Sequence, residues 1–276
     1  MIVKDQGIVL RTVPFGNTSR IAVWLAAEGG KMATLVKGSQ REKSPFLGQY
    51  DLFYTCEILY YAREPRNLHI LKECTPLAAR PALRSDWRAC AAASYAASLL
   101  DRALPYGPAD PGLFRLLDDT LDGLVERSPG AAFVPRFELR LLRALGLAPA
   151  WTHCAECRRE LLVPGPGGRA AAWLDAKAAR LLCPACGGGD GGGGESPGRL
   201  PLGASALGIL AAIAAGRSIP PALPAAVYRE IREAVGVWLE RHADLSPHAR
   251  TAVLEILEAG SPRPFPSGGG LAGHPA

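Results

Sequence analysis

The sequence predicts an α+β chain: a small closed β-barrel, then an α-helical domain with an inserted four-cysteine segment. Three observations carry this. Short apolar runs separated by turn-forming clusters fill residues 1–75. From residue 85 the apolar period lengthens to that of helices. Two Cys-x-x-Cys pairs then interrupt the helical pattern.

The expected strands are Ile8–Leu10, Ile21–Leu25, Ala33–Val36, Cys56–Tyr61 and Leu68–Leu71. Between them lie Pro14-Phe15-Gly16-Asn17, Glu28-Gly29-Gly30-Lys31 and Arg63-Glu64-Pro65-Arg66-Asn67, all rich in turn formers. Five short strands in this length suit an OB-fold barrel. Gly29-Gly30-Lys31 lacks the preceding glycine and following Ser/Thr of a phosphate loop, so it reads as a hairpin turn.

Ser85 is the expected N-cap of the first helix, with Trp87, Ala91, Tyr95 and Leu99 at i, i+4 spacing. Asp110-Pro111 is an N-cap followed by proline at the first helical position, and Leu113, Leu117, Leu121 and Leu124 form its stripe. Phe133, Phe137 and Leu141 mark a third helix that Gly146 terminates. Helices resume near Leu207. One carries Val227, Ile231, Val235, Trp238 and Leu239, and one starts at Ser246-Pro247 with Val253, Leu254 and Leu257. The boundaries expected are a barrel domain over 1–80, helical parts over 81–150 and 201–260, a cysteine segment over 151–190, a Gly-rich linker over 191–200 and a disordered tail over 261–276.

Cys154, Cys157, Cys183 and Cys186 offer four thiolates from two tight knuckles, the closed tetrahedral shell that structural Zn2+ prefers. The spacing between the pairs is long for such a site, and Pro164-Gly165-Pro166-Gly167-Gly168 accounts for the excess as a soft loop tip. A redox dithiol is the alternative. Against it, the motif occurs twice, and Cys186 runs into glycines. Four thiolates leave no position for water, which argues against catalytic zinc. The nucleobase deaminase motif fails at both halves, since the chain reads His153-Cys154-Ala155 and Leu182-Cys183-Pro184.

No apolar stretch reaches the length of a membrane span, and Met1-Ile2-Val3-Lys4-Asp5 lacks the apolar segment expected of a signal peptide. The odd count of seven cysteines fits reduced thiols in a cytoplasm better than a disulfide framework. The net charge of +5 is unevenly spread: residues 1–80 hold eleven Lys/Arg against seven Asp/Glu, while 81–150 and 201–276 balance. A basic barrel domain points to an anionic partner.

Catalytic motifs are missing. None of the five histidines sits in a His-Glu-x-x-His motif, and there is no nucleophile elbow or dinucleotide fingerprint. The chain is therefore expected not to be an enzyme. Asp118, Asp119 and Asp122 read as an exposed solvated face. The sharpest cluster of other polar residues is Lys37-Gly38-Ser39-Gln40-Arg41-Glu42-Lys43-Ser44-Pro45-Phe46, whose Lys37, Arg41 and Lys43 can contact phosphates while Phe46 stacks a base. Arg11 and Arg20, flanking the first hairpin, are candidates for the same surface.

Read together, Gly7-Ile8-Val9-Leu10, Lys37-Gly38 with its basic neighbours and Ser44, Asn67-Leu68, and Phe137–Leu142 with Leu145-Gly146 before Cys154-x-x-Cys157 make the chain resemble the bacterial RecO family of recombination mediators. The resemblance runs from residue 1 to about 258. It implies an OB-fold, a helical domain and a zinc segment. It also implies binding to single- and double-stranded DNA, strand annealing, and a nucleoid-associated place in the cytoplasm. RecR and the single-stranded-DNA-binding protein are the implied partners, with RecA helped onto DNA indirectly. Lys37, Arg41 and Lys43 match the family's basic stretch, although Ser39-Gln40 stand where many relatives are more basic. Phe133, Arg136, Phe137 and Arg140 are the expected seat for the acidic, apolar tail of the single-strand-binding protein. An RNA-binding or transcription-associated scaffold uses the same charge and stacking physics and is the alternative.

Overall fold

A computed structural model of the chain describes residues 1–63, 68–149, 151–161, 171–187, 198–217, 223–242 and 247–259. The turn at Glu64–Asn67, the Pro164–Gly168 tip, the glycine run from Gly188, the Ser246 cap and the tail from Gly260 lie outside these residues.

Strands β1 (Ile2–Phe15), β2 (Ser19–Ala26), β3 (Gly30–Val36), β4 (Thr55–Tyr61) and β5 (Leu68–Ala78) close into a barrel of order β1-β2-β3-β5-β4. The β3–β5 pairing is parallel, and every other pairing is antiparallel. The expected five-stranded barrel is thus present. Its strands read as unbroken apolar runs where a half-exposed sheet would alternate, and packing explains why. Val9, Ala22, Trp24, Val36 and Ile58 fill the barrel interior. Ile8, Leu10, Val23 and Leu25 point the other way, into a core shared with the helices. A strand buried on both faces needs apolar residues at every position.

The helices on that outer face are α2 (Trp87–Ala103), α3 (Pro111–Glu126) and α8 (Pro247–Glu258), preceded by the one-turn α1 (Ala82–Ser85). Asp86 caps α2, accepting hydrogen bonds from the backbone of Arg88 and Ala89. Ser85, the expected cap, is instead the end of α1, because Asp86 takes the extended conformation that capping requires. Trp87 is exposed, whereas Tyr95 and Leu99 are core. The Asp110-Pro111 start and the leucine stripe of α3 stand as expected.

Polar contacts lock the barrel to the helices at two points. Arg80, buried and in the left-handed region at φ +48, donates to Asp118 and Asp122 at 2.6 Å each. It also donates to the Phe53 carbonyl at 3.0 Å and to the Thr55 hydroxyl at 2.8 Å, and Thr55 in turn donates to Asp118. The acidic cluster is therefore not a solvated face: two of its three members clamp the barrel. At the second point, Lys31 pairs with Asp101 at 2.9 Å and donates to the Leu104 carbonyl at 3.0 Å. Its backbone bridges to Gly107. Gly30, at φ +66, makes room for this approach, since a Cβ there would lie 2.3 Å from the Gly107 carbonyl oxygen.

Helix α4 (Phe133–Ala144) runs between two cores. Val134, Phe137 and Leu141 face the barrel side. Leu139 and Leu142 face a second core built by α6 (Ala204–Ala214), α7 (Ala225–His242) and a sheet of β6 (Ala172–Asp175), β7 (Arg180–Leu182) and β8 (Arg199–Leu202), ordered β7-β6-β8. Arg199 and Leu200, placed in the linker by sequence, thus belong to a paired strand. Gly146, at φ +70, ends α4 as expected.

One buried charge ties α2, α4 and α8 together. Glu138 has no exposed surface; Arg250 grips it at 2.7 and 2.9 Å, and the Tyr95 hydroxyl donates to it at 2.5 Å. Burial pushes its carboxyl above the ordinary range, against the pull of Arg250 and Tyr95. Arg250→Ala leaves that carboxylate without a counter-charge, and urea unfolding should show a loss of about 3–5 kcal/mol. Glu138→Leu with Arg250→Met should recover much of it. Gly30→Val should open the barrel–helix seam, seen as faster limited proteolysis between residues 78 and 110.

Candidate metal centre and nucleic-acid interface

The two knuckles are built by backbone pairing. Residues 152–161 form a hairpin in which Cys154 N–H donates to Arg159 O and Leu161 N–H to Thr152 O, both at 2.8 Å. The second knuckle follows β7, where Cys186 and Gly187 N–H donate to Cys183 O within the one-turn α5 (Pro184–Gly187). Ala155 N–H bonds Leu181 O at 2.8 Å and sets one knuckle against the other. Gly187 belongs to this fold: it is buried, and a Cβ there would meet Trp173 at 2.8 Å.

The result brings Cys154, Cys157, Cys183 and Cys186 together, with all four sulfurs within 4.8 Å of one another. Cys157 and Cys183 Sγ stand 3.6 Å apart. Sulfurs around a tetrahedral ion with bonds of about 2.3 Å lie about 3.8 Å apart, so the cluster fits such an ion. Burial opposes the Cys154 thiolate, yet backbone N–H groups of Cys157, Cys183 and Glu156 outweigh it and bring its pKa down to about 6. Hydrogen bonding with Cys183 and Cys157 pushes the Cys186 thiol up to about 12. His153 is exposed and meets the Thr152 hydroxyl at 2.9 Å, outside the cluster.

On the barrel, the segment from Lys37 to Tyr54 is a chain of turns fastened to the β1–β2 hairpin. Gly38 N–H donates to the Ser19 hydroxyl at 3.1 Å and Gln40 N–H to Thr18 O at 2.9 Å. Arg20 pairs in register with Val36, which places it beside Lys37. Lys37, Arg41 and Lys43 are exposed. The barrel's other cations are largely committed: Lys31, Arg80 and Arg11 pair toward the helices, and Lys4 and Lys72 pair with Glu57 and Glu73. Among the described barrel residues, Arg20, Lys37, Arg41, Lys43 and Arg63 make no ion pair. Arg11, grouped with this surface by sequence, instead donates to Asp101 at 2.6 Å and to Tyr106.

Phe46 is half-buried against the barrel core, which limits the face it can offer a base. Phe15 was missed. It is 48% exposed and sits opposite Ser19, the residue that fastens the basic loop. Its signal was positional: an aromatic at the end of the first strand, one residue before Gly16.

A groove of about 610 Å3 lies between the end of α3 and α4, lined by Phe133, Arg136, Phe137 and Arg140 together with Asp119 and Arg127. Phe133 and Phe137 stack at 5.9 Å, nearly parallel at 8°. Phe137 is buried, so Phe133 supplies the aromatic surface and Arg140 the exposed charge.

Comparison with known proteins matches residues 1–80 to the family described as Recombination protein O N terminal. Residues 84–251 match Recombination protein O C terminal. The chain belongs to the RecO family. Similar relatives include the DNA repair protein RecO of Anaeromyxobacter sp. (strain K), 33% identical over 92% of this chain and 96% of its own. That of Anaeromyxobacter dehalogenans (strain 2CP-1 / ATCC BAA-258) is also 33% identical over the same shares. The RecO of Moorella thermoacetica (strain ATCC 39073 / JCM 9320) is 32% identical over 68% of this chain and 67% of its own. The family is one of DNA repair and recombination proteins that mediate without catalysing a reaction, which favours the DNA reading over the RNA-scaffold alternative. Among the described residues no helix is long and apolar enough to cross a membrane.

The cysteine geometry predicts that the reduced protein binds one Co2+ with thiolate charge-transfer and tetrahedral absorption bands. Cys183→Ser should weaken the charge-transfer bands and lower the unfolding midpoint, because metal binding is coupled to folding. A pink, octahedral spectrum from the wild type would contradict a closed four-sulfur shell.

Proposed function

We propose that the protein anneals complementary DNA strands and helps RecA load onto DNA covered by the single-stranded-DNA-binding protein. The observation that carries this is the group of cations without ion pairs around the Lys37–Phe46 loop, in a chain of a recombination family. Lys37, Arg41 and Lys43, with Arg20 beside them, neutralise phosphates of single- and double-stranded DNA without reading sequence. Phe15 and the free edge of Phe46 hold bases loosely by stacking. Annealing needs no nucleophile or cofactor. It needs screened strand repulsion and bases left free to pair.

Zn2+ is the ion we assign to Cys154, Cys157, Cys183 and Cys186, in a structural role: four thiolates close the shell, and the buried Cys154 and Cys183 join the second core. The Phe133 groove receives the acidic, apolar tail of the single-strand-binding protein, its apolar side chains on Phe133 and its carboxylates on Arg136 and Arg140. RecR is a further partner in this reading. The barrel over 1–80 is the DNA-binding unit, and the helical parts over 81–150 and 201–260 carry the partner contacts.

Annealing of labelled complementary oligonucleotides without ATP should be fast and should slow as salt rises. Lys37→Ala with Arg41→Ala and Lys43→Ala should slow it at least tenfold. Folded protein that does not accelerate annealing would overturn the proposal. For the groove, Arg136→Ala with Arg140→Ala should weaken binding of a labelled tail peptide tenfold or more by fluorescence anisotropy, and unchanged affinity would remove that partner site.

A further inference from the structure

Where α4, the cysteine hairpin and the end of α6 meet, a second cavity of about 370 Å3 opens to the surface. It is lined by Arg143, Arg217 and Thr152 over a floor of small apolar residues such as Ala148 and Ala211. Among the described residues no carboxylate lines it, in contrast to the Phe133 groove with its Asp119 and Glu126. Both arginines are exposed, and among the described residues neither makes an ion pair or a side-chain hydrogen bond. Arginines near helix C-termini often cap the last carbonyls. These two do not, because α4 and α6 close with backbone bonds of their own.

The cavity has a built element. Gly216, at φ +76, carries no side chain, and the Arg143 guanidinium occupies the space a Cβ would take, its Nη1 2.1 Å from that position. The guanidinium thus lies over the α6 turn next to Arg217. The hairpin that starts at Thr152 carries two more exposed arginines, Arg158 and Arg159, that form no ion pair among the described residues.

We propose that this cavity is a second DNA phosphate site, separate from the barrel loop, which lets one molecule hold two strands. Two forked guanidiniums and a hydroxyl suit a phosphate diester. With no aromatic in the lining among the described residues, the site grips backbone and leaves bases unstacked, as a strand awaiting its complement requires. An acidic peptide is the competing occupant, but the small alanine floor gives its apolar side chains no deep seat. The inference deepens the annealing reading and rests on it for its purpose, though not for its test.

The test compares the full-length, metal-loaded wild type with Arg143→Ala, Arg217→Ala, both folded by circular dichroism. Binding of a labelled 40-nucleotide single strand is followed by anisotropy against salt. Losing the phosphate that the two arginines grip should flatten the slope of log K against log salt by about 0.7. The same variant should lose energy transfer between two non-complementary strands labelled with donor and acceptor, which reports bridging by one protein molecule. Arg143→Lys, Arg217→Lys should keep most of both signals. An unchanged slope and unchanged bridging would overturn the inference, as would loss of tail-peptide affinity with DNA binding intact. Failure of annealing by the wild type would count against the proposed function alone, since the salt slope is read without annealing.

Discussion

The whole arrangement depends on a barrel that is buried on two sides. Ile8, Leu10, Val23 and Leu25 leave the barrel's outer face to join a core with α2, α3 and α8, while Val9, Trp24 and Ile58 fill its interior. Barrel and helices therefore cannot be pulled apart without exposing a continuous apolar face to water, at a cost of about 25 cal/mol for each Å2. Arg80 and Lys31 then fix the angle of the joint, because each is buried and satisfied by groups on the far side. This seam explains the distribution of charge. Cations near the helices are neutralised there, and those around the Lys37 loop make no ion pair among the described residues.

Helix α4 plays the matching role between the two cores. Its apolar residues face both ways, its single carboxylate is buried against Arg250, and its arginines are driven to the remaining stripe. Arg136, Arg140 and Arg143 fall at i, i+4 and i+7, so they share one face along about 10 Å of helix. One end of that stripe meets the Phe133 groove and the other the Arg217 cavity. A helix with two buried faces and one basic stripe can serve two anionic ligands at once.

Much of this was legible in the sequence. The five strands, the Asp110-Pro111 cap, the Gly146 stop and the four cysteines rest on local signals: apolar runs, capping chemistry and knuckle spacing. What was not legible was tertiary. Asp118 and Asp122 look like any exposed acidic pair until Arg80 arrives from the other end of the barrel. Arg11 looks like a surface cation until Asp101 is placed beside it. Glu138 reads as one more charge on a helix, and nothing local announces that Tyr95 and Arg250 bury it. Phe15 and Phe46 exchanged standing for the same reason, since burial is decided by what packs on top.

In the proposed function, DNA lies on the basic loop and first hairpin of the barrel. A single strand carrying bromouracil, crosslinked by light and mapped by mass spectrometry, tests it most directly. Crosslinks concentrated in residues 13–20 and 37–46, with Phe15 foremost, are the predicted result. Crosslinks confined to the helical region, with both barrel segments unmodified, would contradict it.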